Sequence, residues 1–170
     1  MSKILFSVDP GTRFASLATF VDSELVGVLG MDVQSGTLAM RIRDMRAHPY
    51  LSAFPATAED DQRVVIELPR VYPGDVKGDP NDLIDLAAVG GAFIPLGING
   101  ATFFYPRQWK GQMPKDVCQR RIEKVLQPIE LSACERTMRR YRKGMHHNLW
   151  DAIGIGLHAL GRFGVEGRAA

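Results

Sequence analysis

The sequence predicts an α/β fold, and three observations carry that reading. The apolar run Ile4-Leu5-Phe6-Ser7-Val8, closed by Asp9-Pro10-Gly11-Thr12, has the length and the β-branched and aromatic content of a buried strand. Two further β-rich runs, 15–22 and 24–31, are separated only by the polar turn Asp22-Ser23, so they pair antiparallel and extend the first strand into a meander. Beyond them the apolar stretches 63–68 and 101–105 read as strands set among helical patterns.

Each element has its own signal. Residues 38–47 place Leu38, Ile42 and Met45 on one helical face with arginines between, and His48-Pro49 ends that helix because the residue before a proline avoids the α region. Residues 51–61 read as a surface loop. Val64-Val65-Ile66 is a continuous apolar run, the mark of a strand covered on both faces, and Pro69 stops it. A Gly- and Pro-rich loop follows. Asp79 or Asn81 can cap a helix over 82–93, whose Gly90-Gly91 pair marks a close contact or the helix end. The strand 101–105 ends at Pro106, and residues 107–112 read as a basic, aromatic, flexible turn. Pro114 at a first helical position opens a helix over 115–126. Residues 134–143 form a basic helix or arm, and residues 146–162 an apolar helix whose glycines allow tight packing on the sheet.

Composition narrows the class. A chain of 170 residues suits one domain, residues 1–170, and its 45% hydrophobic and 24% charged content is ordinary for a globular protein. No apolar run reaches the length of a membrane span and no cleavable signal pattern opens the chain, so the expected location is the cytoplasm. Cys118 and Cys134 lack CxxC spacing and read as small core residues rather than zinc ligands or a disulfide framework. Net charge is only +2, yet Arg107 to Lys143 holds eleven Lys/Arg against four Asp/Glu. That asymmetry favours a polyanionic partner, nucleic acid first.

Three carboxylates stand out. Asp9 falls at the carboxyl end of the first strand, where α/β sheets bring reacting groups, unless Asp-Pro-Gly-Thr merely joins two strands. Glu67 ends the most apolar strand, where an unpaired carboxylate is costly; it either pairs with Arg70 or binds a metal. Asp151 is the polar exception in the last helix, with His147 and Asn148 on roughly the same face. Oxygen ligands of this kind suit Mg²⁺ or Mn²⁺, and two such ions can hydrolyse a phosphodiester.

The order ILFSVDPGT, VVIELP and HHNLWDAIGIGL resembles the RuvC family of Holliday-junction resolvases, within the RNase H-like superfamily. The likeness spans nearly the whole chain in element order. It implies a mixed five-stranded sheet, the first three strands antiparallel, flanked by helices. It further implies a homodimer that nicks a four-way or branched DNA junction symmetrically in the cytoplasm of a bacterium or a phage-infected host. Asp9, Glu67 and Asp151 match the family's metal ligands for two Mg²⁺ ions, with Mn²⁺ as a substitute. The family's further ligand three residues before the last Asp is Asn148 here, with His147 beside it as the alternative. Lys110 and Lys115 fall where the family carries basic residues near the scissile phosphate, where they would offset developing charge; otherwise they are surface lysines. An aromatic beyond the Glu wedges into the junction in the family. Tyr72 stands nearest to that place, with Trp109 as another stacking group, and each can equally be a packing residue. Arg70, Arg107, Arg139, Arg140, Arg142 and Lys143 complete the expected DNA contacts.

Other classes compete. An Asp-x-Gly-Thr turn also occurs in sugar-kinase and actin-like ATPases, but two such lobes do not fit in 170 residues. A catalytically silent junction-binding module, or an RNA-processing nuclease of the same superfamily, would share most of these features. For the homodimer, the apolar 83–93 helix offers small residues for self-packing.

Overall fold

The computed structural model describes residues 2–54, 60–70 and 79–164. The strands are β1 (Lys3–Asp9), β2 (Phe14–Val21), β3 (Glu24–Asp32), β4 (Asp61–Glu67) and β5 (Ala101–Phe104). They form one sheet in the order β3-β2-β1-β4-β5, with β1, β2 and β3 antiparallel and β4 parallel to both β1 and β5. This is the mixed five-stranded sheet that the sequence leads one to expect. The β2–β3 hairpin turns through Asp22 and Ser23, both at positive φ, and the Asp22 carboxylate accepts from the Lys3 backbone N–H.

Helices cover both faces: α1 (Leu38–Arg46), α2 (Pro49–Ser52), α3 (Pro80–Ala92), α4 (Pro106–Trp109), α5 (Lys115–Val125), α6 (Pro128–Met138) and α7 (His146–Ala159). Strand alternation divides the core in two. Phe6, Val8, Leu17, Val64 and Ile66 meet Met45 of α1 and Val89 of α3, while Ala18, Phe20 and Val65 meet Ile122, Leu149, Ile153 and Ile155 of α5 and α7. β4 feeds both halves, as its continuous apolar run foretells. Cys118 and Cys134 are buried free thiols, whose burial pushes them up to about 11 and about 12.

Several boundaries differ from the sequence reading for identifiable reasons. Pro49 ends α1 but also opens α2, because proline suits a first helical turn. Asp79 caps α3 by accepting from the Asn81 N–H, and the helix starts at Pro80. Pro114 is the N-cap of α5 rather than its first residue. Pro128 opens α6 with a capping box between Gln127 and Glu130, so the basic segment 134–143 begins as a helix and turns irregular only after Met138. The expected flexible turn 107–112 is partly helical and carries a buried tryptophan. Among the described residues no helix is long and apolar enough to cross a membrane.

Candidate functional site

The sheet brings two of the carboxylates together by register alone. Val8 and Ile66 are partners in the parallel β1–β4 ladder, so Asp9 and Glu67 follow on adjacent strands and share the face covered by α7. Gly11 lets the chain leave β1 sharply, since a Cβ there would lie 2.2 Å from the Phe14 carbonyl oxygen. The third carboxylate arrives on α7. The buried Ser7 hydroxyl donates to the Ala152 carbonyl at 2.7 Å, and a Cβ at Gly156 would meet the Phe20 ring at 2.2 Å. Helix and sheet are thereby pinned in close contact one residue from Asp151. Nothing in the composition singled out Ser7.

Lys110 sits among the acids. Its Nζ lies 2.8 Å from Asp151 Oδ2 and 3.7 Å from Glu67 Oε2, and 4.7 Å from the centre of the Trp109 ring. The Trp109 indole N–H donates to Glu67 Oε2 at 2.6 Å. Trp109 is fully buried, so of its two readings the packing one holds and the stacking one does not: its ring belongs to the core and its N–H to the site. The alternative pairing of Glu67 with Arg70 is likewise not what forms, since the Glu67 carboxylate takes the Trp109 and Lys110 donors; the Arg70 guanidinium lies over the Tyr105 ring at 4.8 Å.

These surroundings leave the acids short of positive charge. Burial, then the charges of Glu67 and Asp151, hold the Asp9 carboxyl well above the usual carboxylate range, against the weaker pull of Lys110 and Lys115. Burial also raises Glu67, although Lys110 and the Trp109 hydrogen bond work the other way. Glu67 and Asp151 overcome the cost of burying Lys110 and raise its affinity for a proton. Burial and the Lys115 charge lower His147, against the pull of Asp151, so its imidazole favours the neutral, ligating form. Lys115, exposed at the start of α5, thus acts on both Asp9 and His147, and half-buried Asn148 lies one residue further along α7.

Among the described residues no three His, Cys, Asp or Glu side chains are gathered closely enough to hold a metal ion as they stand. The donor chemistry nevertheless fits a hard divalent cation. Two strand-end carboxylates and one helical carboxylate supply oxygen ligands, and the place between Glu67 and Asp151 already receives the positive charge of Lys110.

The basic residues frame this end of the sheet. Lys110 and Lys115 lie beside the acids, and exposed Arg107 lies on α4. Arg139, Arg140, Arg142 and Lys143 are exposed beyond α6, on a segment tied to the edge strand by Tyr141. The Tyr141 hydroxyl accepts from the Gly30 N–H at 3.0 Å and donates to the Gly30 carbonyl at 3.1 Å, while its ring packs edge-on to Phe14. Gly30 faces Ser16, which faces Asp9, so this anchor is at the carboxylate end of the sheet. Sequence reasoning passed over Tyr141; its one signal was an aromatic inside a run of arginines. Tyr72 lies outside the described residues.

No protein-family model matches the chain, and no curated protein matches it in sequence. Solved structures do. Thermus thermophilus RuvC aligns over 95% of this chain and 98% of its own at 13% identity, with a TM-score of 0.54. Thermus thermophilus RuvC in complex with a Holliday junction substrate aligns over the same shares at 12% identity, with a TM-score of 0.52. At such identity the likeness speaks for architecture, and the chain has the RuvC-like, RNase H-type fold.

Proposed function

We propose that this protein is a structure-selective endonuclease that resolves four-way or branched DNA junctions by metal-assisted phosphodiester hydrolysis. The observation that carries the reading is that Asp9 and Glu67 end adjacent strands β1 and β4 side by side while Lys110 links Glu67 to Asp151 of α7, in a fold shared with a RuvC bound to a Holliday junction. Asp9, Glu67 and Asp151 would hold two Mg²⁺ or Mn²⁺ ions, with His147 or Asn148 as a further ligand on the same helix. Such ions supply Lewis-acid activation of water and charge for the departing oxygen. The chain's own residues do the rest. The acids are kept rigid by the sheet and by α7, Lys110 and Lys115 offer positive charge to the scissile phosphate, and Arg70, Arg107, Arg139, Arg140, Arg142 and Lys143 grip the flanking backbone. Phosphate contacts of this kind position the DNA without reading its sequence.

Paired nicking needs two sites, which a homodimer provides. α3 carries a solvent-facing stripe for it: Ile84 is 66% exposed, Ala87 and Ala88 follow at helical spacing, a Cβ at Gly91 would meet nothing within 4 Å, and Ile94 beyond the helix is also exposed. Ile84→Asp is expected to yield a monomer by light scattering.

The primary test is cleavage of a synthetic four-way DNA junction beside linear duplex and structured RNA, with Mg²⁺ and with Mn²⁺, comparing wild type with Asp9→Asn. Metal-dependent paired nicks in the junction, lost in the variant, are expected. Tight junction binding without cleavage under either metal would overturn the catalytic reading in favour of a binding module, and preference for RNA would move the substrate within the superfamily.

A further inference from the structure

We infer that Trp109 is a positioning residue for Glu67, orienting that carboxylate toward the cation and not touching the nucleic acid; the inference rests on the nuclease reading above. Four observations converge on it. The ring is fully buried at the end of α4. Its orientation is set from several sides: a Cβ at Gly154 of α7 would lie 2.5 Å from its Cζ3, and Phe163 packs at a tilt with ring centres 6.3 Å apart. An indole nitrogen has one donor and no acceptor role, so a buried ring that cannot turn must present its N–H to a fixed acceptor. That acceptor is Glu67 Oε2, at 2.6 Å.

The consequence for Glu67 is directional. A glutamate has three side-chain torsions, and β4 alone fixes only where the side chain starts. The indole and the Lys110 ammonium both address Oε2, which reserves Oε1 for a ligand. Gly154 takes part indirectly, because any larger residue there would push the ring out of the place from which its N–H reaches the carboxylate. Partners that orient a metal ligand in this way typically govern affinity or activity by about 10–100-fold.

The test uses the full chain. Trp109 and Trp150 are the only tryptophans, so a ¹⁵N-labelled Trp150→Phe protein shows a single indole resonance, that of Trp109. The resonance is expected to move on Glu67→Gln and on addition of Mg²⁺. Trp109→Phe, which keeps an aromatic ring and removes the N–H, is expected to bind Mn²⁺ about 10–100-fold more weakly by the loss of free-ion signal in electron paramagnetic resonance. It should also lower kcat for junction cleavage while leaving the junction Kd unchanged; a base-stacking tryptophan would show the reverse split. An indole resonance indifferent to Glu67→Gln or to Mg²⁺ overturns the inference, as does Mn²⁺ binding by Trp109→Phe equal to wild type. Should Trp109→Phe fail to fold, the Glu67→Gln resonance shift decides alone, since it leaves the ring in place. A wild type that binds no Mn²⁺ and cuts no junction overturns the nuclease reading as well, whereas a wild type that cuts beside an unaltered Trp109→Phe overturns only this inference.

Discussion

Two acidic regions of this protein, one buried and one half-buried, have opposite electrostatic characters. Glu130 on α6 is 2% exposed and fully satisfied: Oε1 accepts from the Leu25 N–H and Arg162 Nη1, and Oε2 from the Gln127 N–H and Arg162 Nη2, all within 2.8 Å. Burial would raise its carboxyl, but Arg162 and the two backbone donors outweigh it and hold it below the usual range. Asp9 and Glu67 are half-buried, yet the one ammonium nearby is divided between Glu67 and Asp151 and the one indole serves Glu67 alone, and both carboxyls are held above the usual range. The carboxylate of Glu130 is saturated with directional donors, whereas the cluster of Asp9, Glu67 and Asp151 is left short of positive charge, the imbalance that the proposed cation would correct.

Breaking the unsaturated region should produce the largest effect, and on activity alone. Asp9→Asn removes a proposed ligand, so junction cleavage is expected to fall by more than the roughly 100-fold that loss of a ligand's orienting partner brings. Stability without divalent cation should hold or rise, because a half-buried carboxylate repelled by two others has been removed. Thermal unfolding measured beside cleavage checks both, and a marked fall in Tm would mean that Asp9 serves the fold instead.

The saturated region should answer in the opposite sense. Glu130→Gln leaves the Arg162 guanidinium without its counter-charge, and breaking a pair of this kind costs about 3–5 kcal/mol. Its pH dependence follows from the lowered carboxyl. The folded state holds the Glu130 proton more weakly than the unfolded chain, so the stabilisation is complete above the ordinary glutamate range and is lost as pH falls through the lowered folded value. Denaturant unfolding of wild type and Glu130→Gln should therefore converge on acidification and separate fully near neutrality.

Lys110 sharpens the contrast because it is the neutralising charge that the site does possess. Lys110→Met is expected to lose about 1–3 kcal/mol of stability in the absence of divalent cation, from the charged hydrogen bond to Asp151. Mg²⁺ at a hundred times its Kd would return about 2.7 kcal/mol. Glu130→Gln, whose carboxylate cluster is intact, should gain about as much, whereas Asp9→Asn, short of a proposed ligand, should gain little. Equal rescue of Lys110→Met and Asp9→Asn would show that the carboxylates of the site are not where the cation acts.

How much of this was legible in the sequence follows the same division. β1, β4 and α7 each announce a carboxylate on an apolar element, so Asp9, Glu67 and Asp151 could be singled out one by one, and strand register then brings the first two together. For Trp109 a packing role was legible as one of two readings, but its bond to Glu67 was not. Its setting of arginine, glutamine, lysine and glycine looks exposed, and the close approach of Gly154 to its ring decides for the core. Glu130 was hidden among the acids of a basic stretch, since its donors come from 105 residues earlier and 32 later in the chain. The start of α6 at Pro128 went unread for a local reason, a proline at a first helical position being indistinguishable from a breaker until the capping box behind it is recognised.

The smallest expected effect extends the contrast from carboxylates to the basic arm. One Tyr141 hydroxyl satisfies both the N–H and the carbonyl of Gly30 on edge strand β3, so the arm bearing Arg139, Arg140, Arg142 and Lys143 is held by a saturated contact while its charges stay free for phosphate. Tyr141→Phe keeps the packing on Phe14 and removes the two hydrogen bonds, a loss of about 1 kcal/mol, since edge-strand groups partly recover partners in water. Junction affinity should fall modestly, with the salt dependence of binding unchanged because no cation has been removed. Arg140→Ala should do the converse, lowering the salt slope and sparing stability. If Tyr141→Phe flattens the salt slope as well, the arm leaves the DNA when its anchor is cut, and the tyrosine governs the charge as well as the fold.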